Sequence, residues 1–182
     1  MFKSPGQIRD YLTKKREYKV IGSGLHSMAL HKPPHKKIIK LSRDMDMWPD
    51  YILWAKEHNY LGNKAPLVYS LRIEKEHHEH QVKNLYYVAS VELLTDANDS
   101  PEQTDLIKKI ECYVRIHNCG SHDQIDLPDD WKEFLENYKM EFKMYPSDLG
   151  GRNWLSRQGE LVLNDPSGSD SRYKQVQKLK IK

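Results

Sequence analysis

The sequence predicts an α+β protein: a minimal two-lobed arrangement with an antiparallel sheet and one helix in the first lobe, and a small, mainly helical second lobe. Three observations carry this. Short β-prone runs cluster before residue 95, two long amphipathic stripes lie between Pro101 and Met144, and a small hairpin pattern follows them. A chain of 182 residues is the length of one domain or one compact two-lobed unit. The expected division is a first lobe over 18–94, a shorter second lobe over 95–168 and a basic tail over 169–182.

Ser4-Pro5-Gly6-Gln7 reads as a helix start, with Ser4 as N-cap, Pro5 at the first helical position and Gln7 closing a capping box. That helix should run to about Lys15. From Tyr18 the pattern becomes β-prone: Lys19 to Ile21, Met28 to His31 and Lys37 to Leu41 form an antiparallel meander, turning at a glycine pair and at Pro33-Pro34. Trp48 and Pro49 open a helix to about Asn59, with Leu53, Trp54, Glu57 and Tyr60 as its packed face and Gly62 as its stop. Leu67 to Ile73 and Asn84 to Leu94 read as a hairpin whose polar intervening stretch, EKEHHEHQVK, is a hydrated tip.

Ser100-Pro101-Glu102-Gln103 repeats the helix-start signal, followed at helical spacing by Leu106, Ile107, Ile110, Tyr113, Val114 and His117 up to Gly120. A further helix spans Pro128 to about Met144, with Trp131, Leu135, Tyr138 and Phe142 on one stripe. Loop, short strand, turn, short strand and loop complete the order.

Composition narrows the function classes. With 29 Lys and Arg against 26 Asp and Glu, the net charge is +3 and the mean hydropathy −0.82. The excess is small and acidic residues are interleaved along the chain, so nucleic acid is not expected as a partner. No run approaches the roughly 18 apolar residues of a membrane span, and the N-terminus lacks the apolar stretch of a signal peptide. No membrane association is expected, and the expected location is the cytoplasm. Cys112 and Cys119, seven residues apart on one helix, stand about 10 Å apart along its axis, too far for a disulfide. Both should be reduced and structural. Glu76-His77-His78-Glu79-His80 has metal-ligating residue types, but adjacent strand residues alternate faces, and a hydrated tip accounts for the run better.

Three signals, taken in order, point to phosphoryl transfer. Gly22-Ser23-Gly24-Leu25-His26-Ser27-Met28-Ala29 joins two predicted strands, where glycines let backbone N–H groups approach phosphate oxygens. Alone it is a common hairpin turn. Lys40 lies inside the apolar strand Ile38-Ile39-Lys40-Leu41, where a half-buried lysine needs an anionic partner such as a phosphate. Asp148-Leu149-Gly150-Gly151-Arg152-Asn153, then Leu161-Val162-Leu163 and Asp165-Pro166, supply a carboxylate to take a hydroxyl proton, plus an amide oxygen and a second carboxylate for Mg²⁺.

In this order the motifs resemble the protein-kinase-like fold, and more narrowly the early serine/threonine protein kinases of T-odd (T-seven-type, autographivirus) bacteriophages. The resemblance runs from Tyr18 to Gly168 and rests on Gly22 through Ala29, Ile39-Lys40, Pro66-Leu67-Val68-Tyr69, Asp148 through Asn153, and Asn164-Asp165-Pro166. It implies that Gly22, Ser23, Gly24 and Ser27 cover the ATP phosphates and that Lys40 contacts the α and β phosphates. The backbone of Glu92 to Leu94 would receive adenine. Asp148 would be the catalytic base, with Asn153 and Asp165 as Mg²⁺ ligands.

Against most protein kinases, Ser27 stands for the third loop glycine, Pro146-Ser147 precedes Asp148 in place of His-Arg, and Asp165 is followed by Pro-Ser in place of Phe-Gly. Asp46, Asp50 and Glu57 are all in range to pair with Lys40. Only 17 residues follow Asp165, so the platform for a peptide substrate is expected to be minimal or to come from a partner.

The implied function is ATP- and Mg²⁺-dependent phosphorylation of serine or threonine in host bacterial proteins, such as RNA polymerase or RNA-processing enzymes, in the host cytoplasm. Two alternatives are a pseudokinase-like module that inhibits a host protein by contact and a small-molecule phosphotransferase of aminoglycoside-kinase type.

Overall fold

The structure is a computed structural model that describes residues 2–24, 26–43, 46–78, 81–120 and 125–166, without the side chains of 77–78 and 81–84. The basic tail 169–182, Gly168, and Leu25, Glu79 and His80 lie outside the described residues. The fold is α+β, with a five-stranded antiparallel sheet, a three-stranded antiparallel sheet and four α-helices among the described residues. The chain divides into two compact units: residues 1–49 with 67–93, and residues 50–66 with 94–182.

The first unit holds α1 (Pro5–Arg16) and strands β1 (Lys19–Ser23), β2 (Ser27–His31), β3 (Lys37–Ser42), β4 (Val68–His78) and β5 (Gln81–Glu92), in spatial order β1-β2-β3-β5-β4. Ser4 caps α1 as expected, its Oγ accepting from the Gln7 amide at 3.3 Å, but Gln7 Oε1 accepts from the Lys3 amide at 2.8 Å, one residue before the N-cap, so it does not close the expected capping box. Strand alternation sorts the meander into two faces. Met28 and Leu30 stand opposite Leu41 and Ile39 in register. With Tyr86 they pack on Ile8 of α1, flanked by Leu12, Tyr18 and Val88. Leu30 and Leu41 are fully buried, each contributing about 2 kcal/mol of hydrophobic stabilisation.

Two further expectations are corrected here. The β4–β5 pairing continues through Glu76↔Asn84 to His78↔Gln81, so the polar stretch is mostly ladder. Backbone pairing outweighed polarity because one face of a strand ribbon can stay in water. The second correction concerns α2 (Trp48–Glu57): Leu53 is 49% exposed and Glu57 is exposed, while Tyr51, Ile52, Trp54 and Ala55 are buried. Leu53 shares with Glu57 the stripe four residues apart that faces water.

The second unit is built on aromatic packing. α3 (Pro101–Asn118) buries Ile107, Ile110, Tyr113 and Val114, and α4 (Asp129–Phe142) buries the stripe Trp131, Leu135, Tyr138 and Phe142 together with Phe134. Trp54 meets Phe134, Tyr138 and Phe142 edge-on at centroid distances of 5.4, 5.4 and 5.7 Å, a geometry that suits ring quadrupoles. Lys64 pairs with Asp130 and lies 4.7 Å over the Trp131 ring.

The small sheet comprises β6 (Thr95–Asp96), β7 (Trp154–Arg157) and β8 (Glu160–Leu163). Its β7–β8 turn puts Gln158 at φ 52° and Gly159 at φ 91°, the paired positive values of a tight two-residue hairpin. Both cysteines are free, and Cys119 is exposed just past the end of α3, so it is not a core residue. Among the described residues no helix is long and apolar enough to cross a membrane.

Candidate functional site

The second unit gathers Asp148, Asn153 and Asp165, all half-buried, on two joined loops. The amides of Ser147 and Asp148 both donate to the Pro166 carbonyl, at 3.0 and 3.2 Å. The Asn164 amide donates to the Asn153 carbonyl at 2.7 Å. Asp165 is therefore fastened to the Asp148–Asn153 loop through the residue on either side of it.

Within that loop, Asn153 Nδ2 donates to the Asp148 carbonyl at 3.1 Å, and the Asn153 amide donates to the Gly150 carbonyl at 2.8 Å. Asp148 Oδ1 accepts from the Gly150 amide at 3.3 Å. A Cβ at Gly150 would come within 3.3 Å of that same oxygen. Trp154 Nε1 donates to the Leu149 carbonyl at 2.9 Å, which ties the loop to β7.

Three residues that sequence reasoning did not single out as site residues support these loops. Asn98 Nδ2 donates to the Gly151 carbonyl at 3.2 Å. The Tyr51 hydroxyl donates to the Leu163 carbonyl at 2.7 Å, two residues before Asp165. Burial, the neighbouring Tyr138 and the negative charge of Asp165 push that phenol well above its ordinary pKa, which keeps it a donor. Gln103, at 6% exposure, donates from Nε2 to Ser156 Oγ at 3.0 Å and to the Gly159 carbonyl at 2.8 Å, holding the β7–β8 hairpin. The Asp96-Ala97-Asn98 turn, in which Asp96 Oδ1 accepts from the Asn98 amide, was the one local signal available for any of these roles.

Two carboxylates and an amide oxygen are hard oxygen donors, the set that suits Mg²⁺. Asn153 commits its Nδ2 to Asp148, and Oδ1 is the atom it offers to a cation. No three His, Cys, Asp or Glu side chains converge on one point among the described residues. A cation held by Asn153 and Asp165 would rest on one carboxylate, one amide oxygen and its own waters, in the usual manner of Mg²⁺.

The first unit holds the remaining predicted residues except Leu94, which begins the second stretch of unit 2. Gly22 pairs with Ala29, Ala29 with Lys40, and Lys40 with Ala89. Direct cross-strand partners share a face, so Lys40 stands in a row of otherwise small residues. It lies on the opposite face from α1, 6% exposed, with its ammonium 4.2 Å over the Trp48 ring.

Trp48 stacks on Tyr87 at 5.2 Å, and Asp46 accepts from both the Trp48 amide (3.0 Å) and the Tyr87 hydroxyl (3.3 Å). Of the three acids in range by sequence, buried Asp46 is the one that shares Trp48 with Lys40, whereas Glu57 is exposed.

The β1–β2 turn is closed by the Gly24 amide donating to the Ser27 carbonyl at 2.8 Å, and Ser23 Oγ accepts from Arg43 at 3.4 Å. A Cβ would meet nothing nearer than 4.0 Å at Gly22 or 3.8 Å at Gly24, and neither has a left-handed φ. Neither packing nor backbone conformation requires glycine at these two positions.

At the end of β5 the Glu92 amide donates to Leu67 and the Leu93 amide to Lys36, both at 3.0 Å. Those two N–H groups are consumed by the chain, and no hydrogen bond among the described residues takes the Leu94 amide. No protein-family model matches the chain, and no curated protein matches it.

Proposed function

We propose that the chain is a protein-kinase-like phosphotransferase that moves the γ-phosphoryl group of ATP to serine or threonine hydroxyls of proteins. The observation that carries this reading is the fastening of Asp165 to the Asp148–Asn153 loop through Asn164 and Pro166. That fastening supports the reading because it joins the loops that carry Asp148, proposed as base, and Asn153 and Asp165, proposed as hard-oxygen ligands, the parts that phosphoryl transfer requires. The row Gly22–Ala29–Lys40–Ala89 supports it, since small neighbours leave room for phosphates beside an ammonium.

In this reading unit 1 is the nucleotide-binding lobe and unit 2 the lobe of the catalytic loop. Asp148 accepts the hydroxyl proton as the substrate oxygen bonds to the γ-phosphorus. The bond from that phosphorus to the β–γ bridging oxygen breaks, and ADP leaves. Lys40 binds the α and β phosphates, with the backbone of Gly22, Ser23, Gly24 and Ser27 above them, the Gly24 amide closing the turn on the Ser27 carbonyl and not meeting a phosphate. The Glu92 carbonyl and the Leu94 amide take the adenine edge. Asn153 and Asp165 would hold Mg²⁺, which would neutralise charge on the phosphates. By the family resemblance, the substrates are host bacterial proteins such as RNA polymerase or RNA-processing enzymes, modified by a phage early protein in the host cytoplasm.

The test is incubation with γ-labelled ATP and Mg²⁺, with and without bacterial lysate, beside Asp148→Asn. Label on protein from the wild type alone is expected. ATP binding without transfer would replace this reading with a contact inhibitor of pseudokinase type. Transfer to a sugar or antibiotic but never to protein would make the chain a small-molecule phosphotransferase.

A further inference from the structure

The whole-chain excess of three positive charges hides an uneven distribution. Residues 10–37 hold seven of the 29 Lys and Arg but only two of the 26 acids, Asp10 and Glu17. This segment therefore carries an excess of five positive charges, and the rest of the chain is net negative by two.

The fold collects the seven at one end of unit 1. Lys14, Lys15 and Arg16 form the last turn of α1, Lys19 heads β1 beside His31 of β2, and Lys32, Lys36 and Lys37 flank the β2–β3 turn. The Tyr18 amide donates to the Leu12 carbonyl at 3.0 Å, which folds the exit of α1 back towards this end. His31 Nε2 contacts the His35 carbonyl at 2.7 Å and holds the turn. All but Lys32 of the seven are exposed. Asp10 and Glu17 are engaged by Lys14 and Lys32 at 3.1 and 3.0 Å.

A cavity of about 260 Å³ opens among these charges, lined by Tyr11, Leu12, Arg16, Tyr18, Lys32 and His35. It is smaller than the roughly 300–1,000 Å³ of a drug-sized ligand site, with room for one ring and an attached phosphate. Arg16 Nε donates to the Tyr11 hydroxyl at 2.7 Å, so a guanidinium is fixed beside an aromatic ring at the rim. Cations along a surface with aromatic rings among them are the elements that hold unpaired bases and their backbone. Asp and Glu side chains offer the two tyrosines no ring, and a duplex keeps its bases stacked inside.

We propose that this end of unit 1 binds single-stranded nucleic acid, with one base entering the pocket between Tyr11 and Tyr18 and the neighbouring phosphates lying along Lys15, Arg16, Lys32 and Lys36. The site is separate from the residues assigned to phosphoryl transfer and does not depend on that assignment.

The test is fluorescence anisotropy of a labelled ten-nucleotide oligothymidine on the full chain, without ATP, whose base and phosphates would compete for the same pocket. Binding should weaken roughly 10- to 20-fold between about 50 and 200 mM salt if three phosphates are contacted. The exposed-site variants Arg16→Glu and Lys36→Glu should each weaken it about tenfold. Tyr11→Leu should weaken it about fivefold or more while leaving the affinity for an abasic oligomer of equal charge unchanged.

Three results with the unmodified protein would overturn the proposal: no binding at low salt, equal affinity for the abasic or duplex oligomer, or equal competition by polyglutamate. The last would make this end a docking surface for acidic proteins.

Discussion

The Asp148 amide donates to the Pro166 carbonyl at 3.2 Å, joining segments that lie on either side of the β7–β8 hairpin. Because the Asn164 amide is bonded back to Asn153, Asp165 is held from both sides by main-chain bonds. Its main chain is thus fixed on both sides by backbone bonds.

Removal of the Asp165 carboxylate should therefore separate activity from fold. Asp165→Ala keeps both flanking backbone bonds and is expected to abolish Mg²⁺-dependent label transfer, with a thermal midpoint within a few degrees of wild type. Retained transfer by the variant would refute the metal assignment. A collapsed midpoint would mean that the carboxylate itself holds the loop.

Gly22 and Gly24 lead to a prediction of opposite sign for stability and binding. A methyl group at either position meets only ordinary van der Waals neighbours and no left-handed φ. Alanine there should hold or raise stability, by up to about 1 kcal/mol through the unfolded chain. If phosphates approach this backbone, the same substitutions should weaken ATP binding at least tenfold. Calorimetric titration with ATP reads one quantity and a thermal melt the other; unchanged ATP affinity in both variants would leave the turn as a turn and nothing more.

These outcomes also mark what the sequence made legible. Ser4, Ser100 and the α4 stripe signalled their elements because caps and apolar periodicity act over a few residues. Asp148, Asn153 and Asp165 were legible as a set because their residue types are set by the chemistry proposed for them. Leu53 misled because an apolar residue on a short helix is not obliged to be buried.

Tyr51, Asn98 and Gln103 were invisible as supports because each acts across the fold, Tyr51 over 112 residues and the other two over 53 or more. No local pattern encodes such a bond. The β4–β5 ladder was under-read for a related reason, since its strands satisfy each other and need no apolar alternation in sequence.

Gln103 shows the energetic side of that blindness. Its place three residues after Ser100 suggests a capping box, and its amide does donate to Ser100 Oγ at 3.4 Å. The side chain instead bridges Ser156 Oγ and the Gly159 carbonyl. Gln103→Leu would leave buried Ser156 without this donor, and the loss should be about 1–3 kcal/mol. Urea unfolding measures it. The same loss in Gln103→Leu/Ser156→Ala as in Gln103→Leu alone would show that the Gly159 bond, not the Ser156 bond, carries the energy.

Glu136 predicts how stability depends on pH. Burial alone would raise its carboxyl, but hydrogen bonds from Tyr145 and from Tyr113 (2.9 Å), with Lys139 and His117 nearby, hold it below its ordinary 4.5. Burial and the bond to Glu136 in turn push both phenols up. A carboxyl depressed in the folded chain stabilises above its unfolded pKa, and that contribution is lost as pH falls through the folded value. Phenols raised in the folded chain act in the other direction. Their contribution is whole below about pH 10 and declines as the unfolded tyrosines ionise above it. The urea midpoint should therefore be level from about pH 6 to 9 and fall on both sides. Glu136→Gln should lower the plateau and flatten the acid limb. Parallel acid limbs in variant and wild type would place the acid sensitivity in other carboxylates, and the Tyr113–Glu136–Tyr145 cluster would then contribute packing alone.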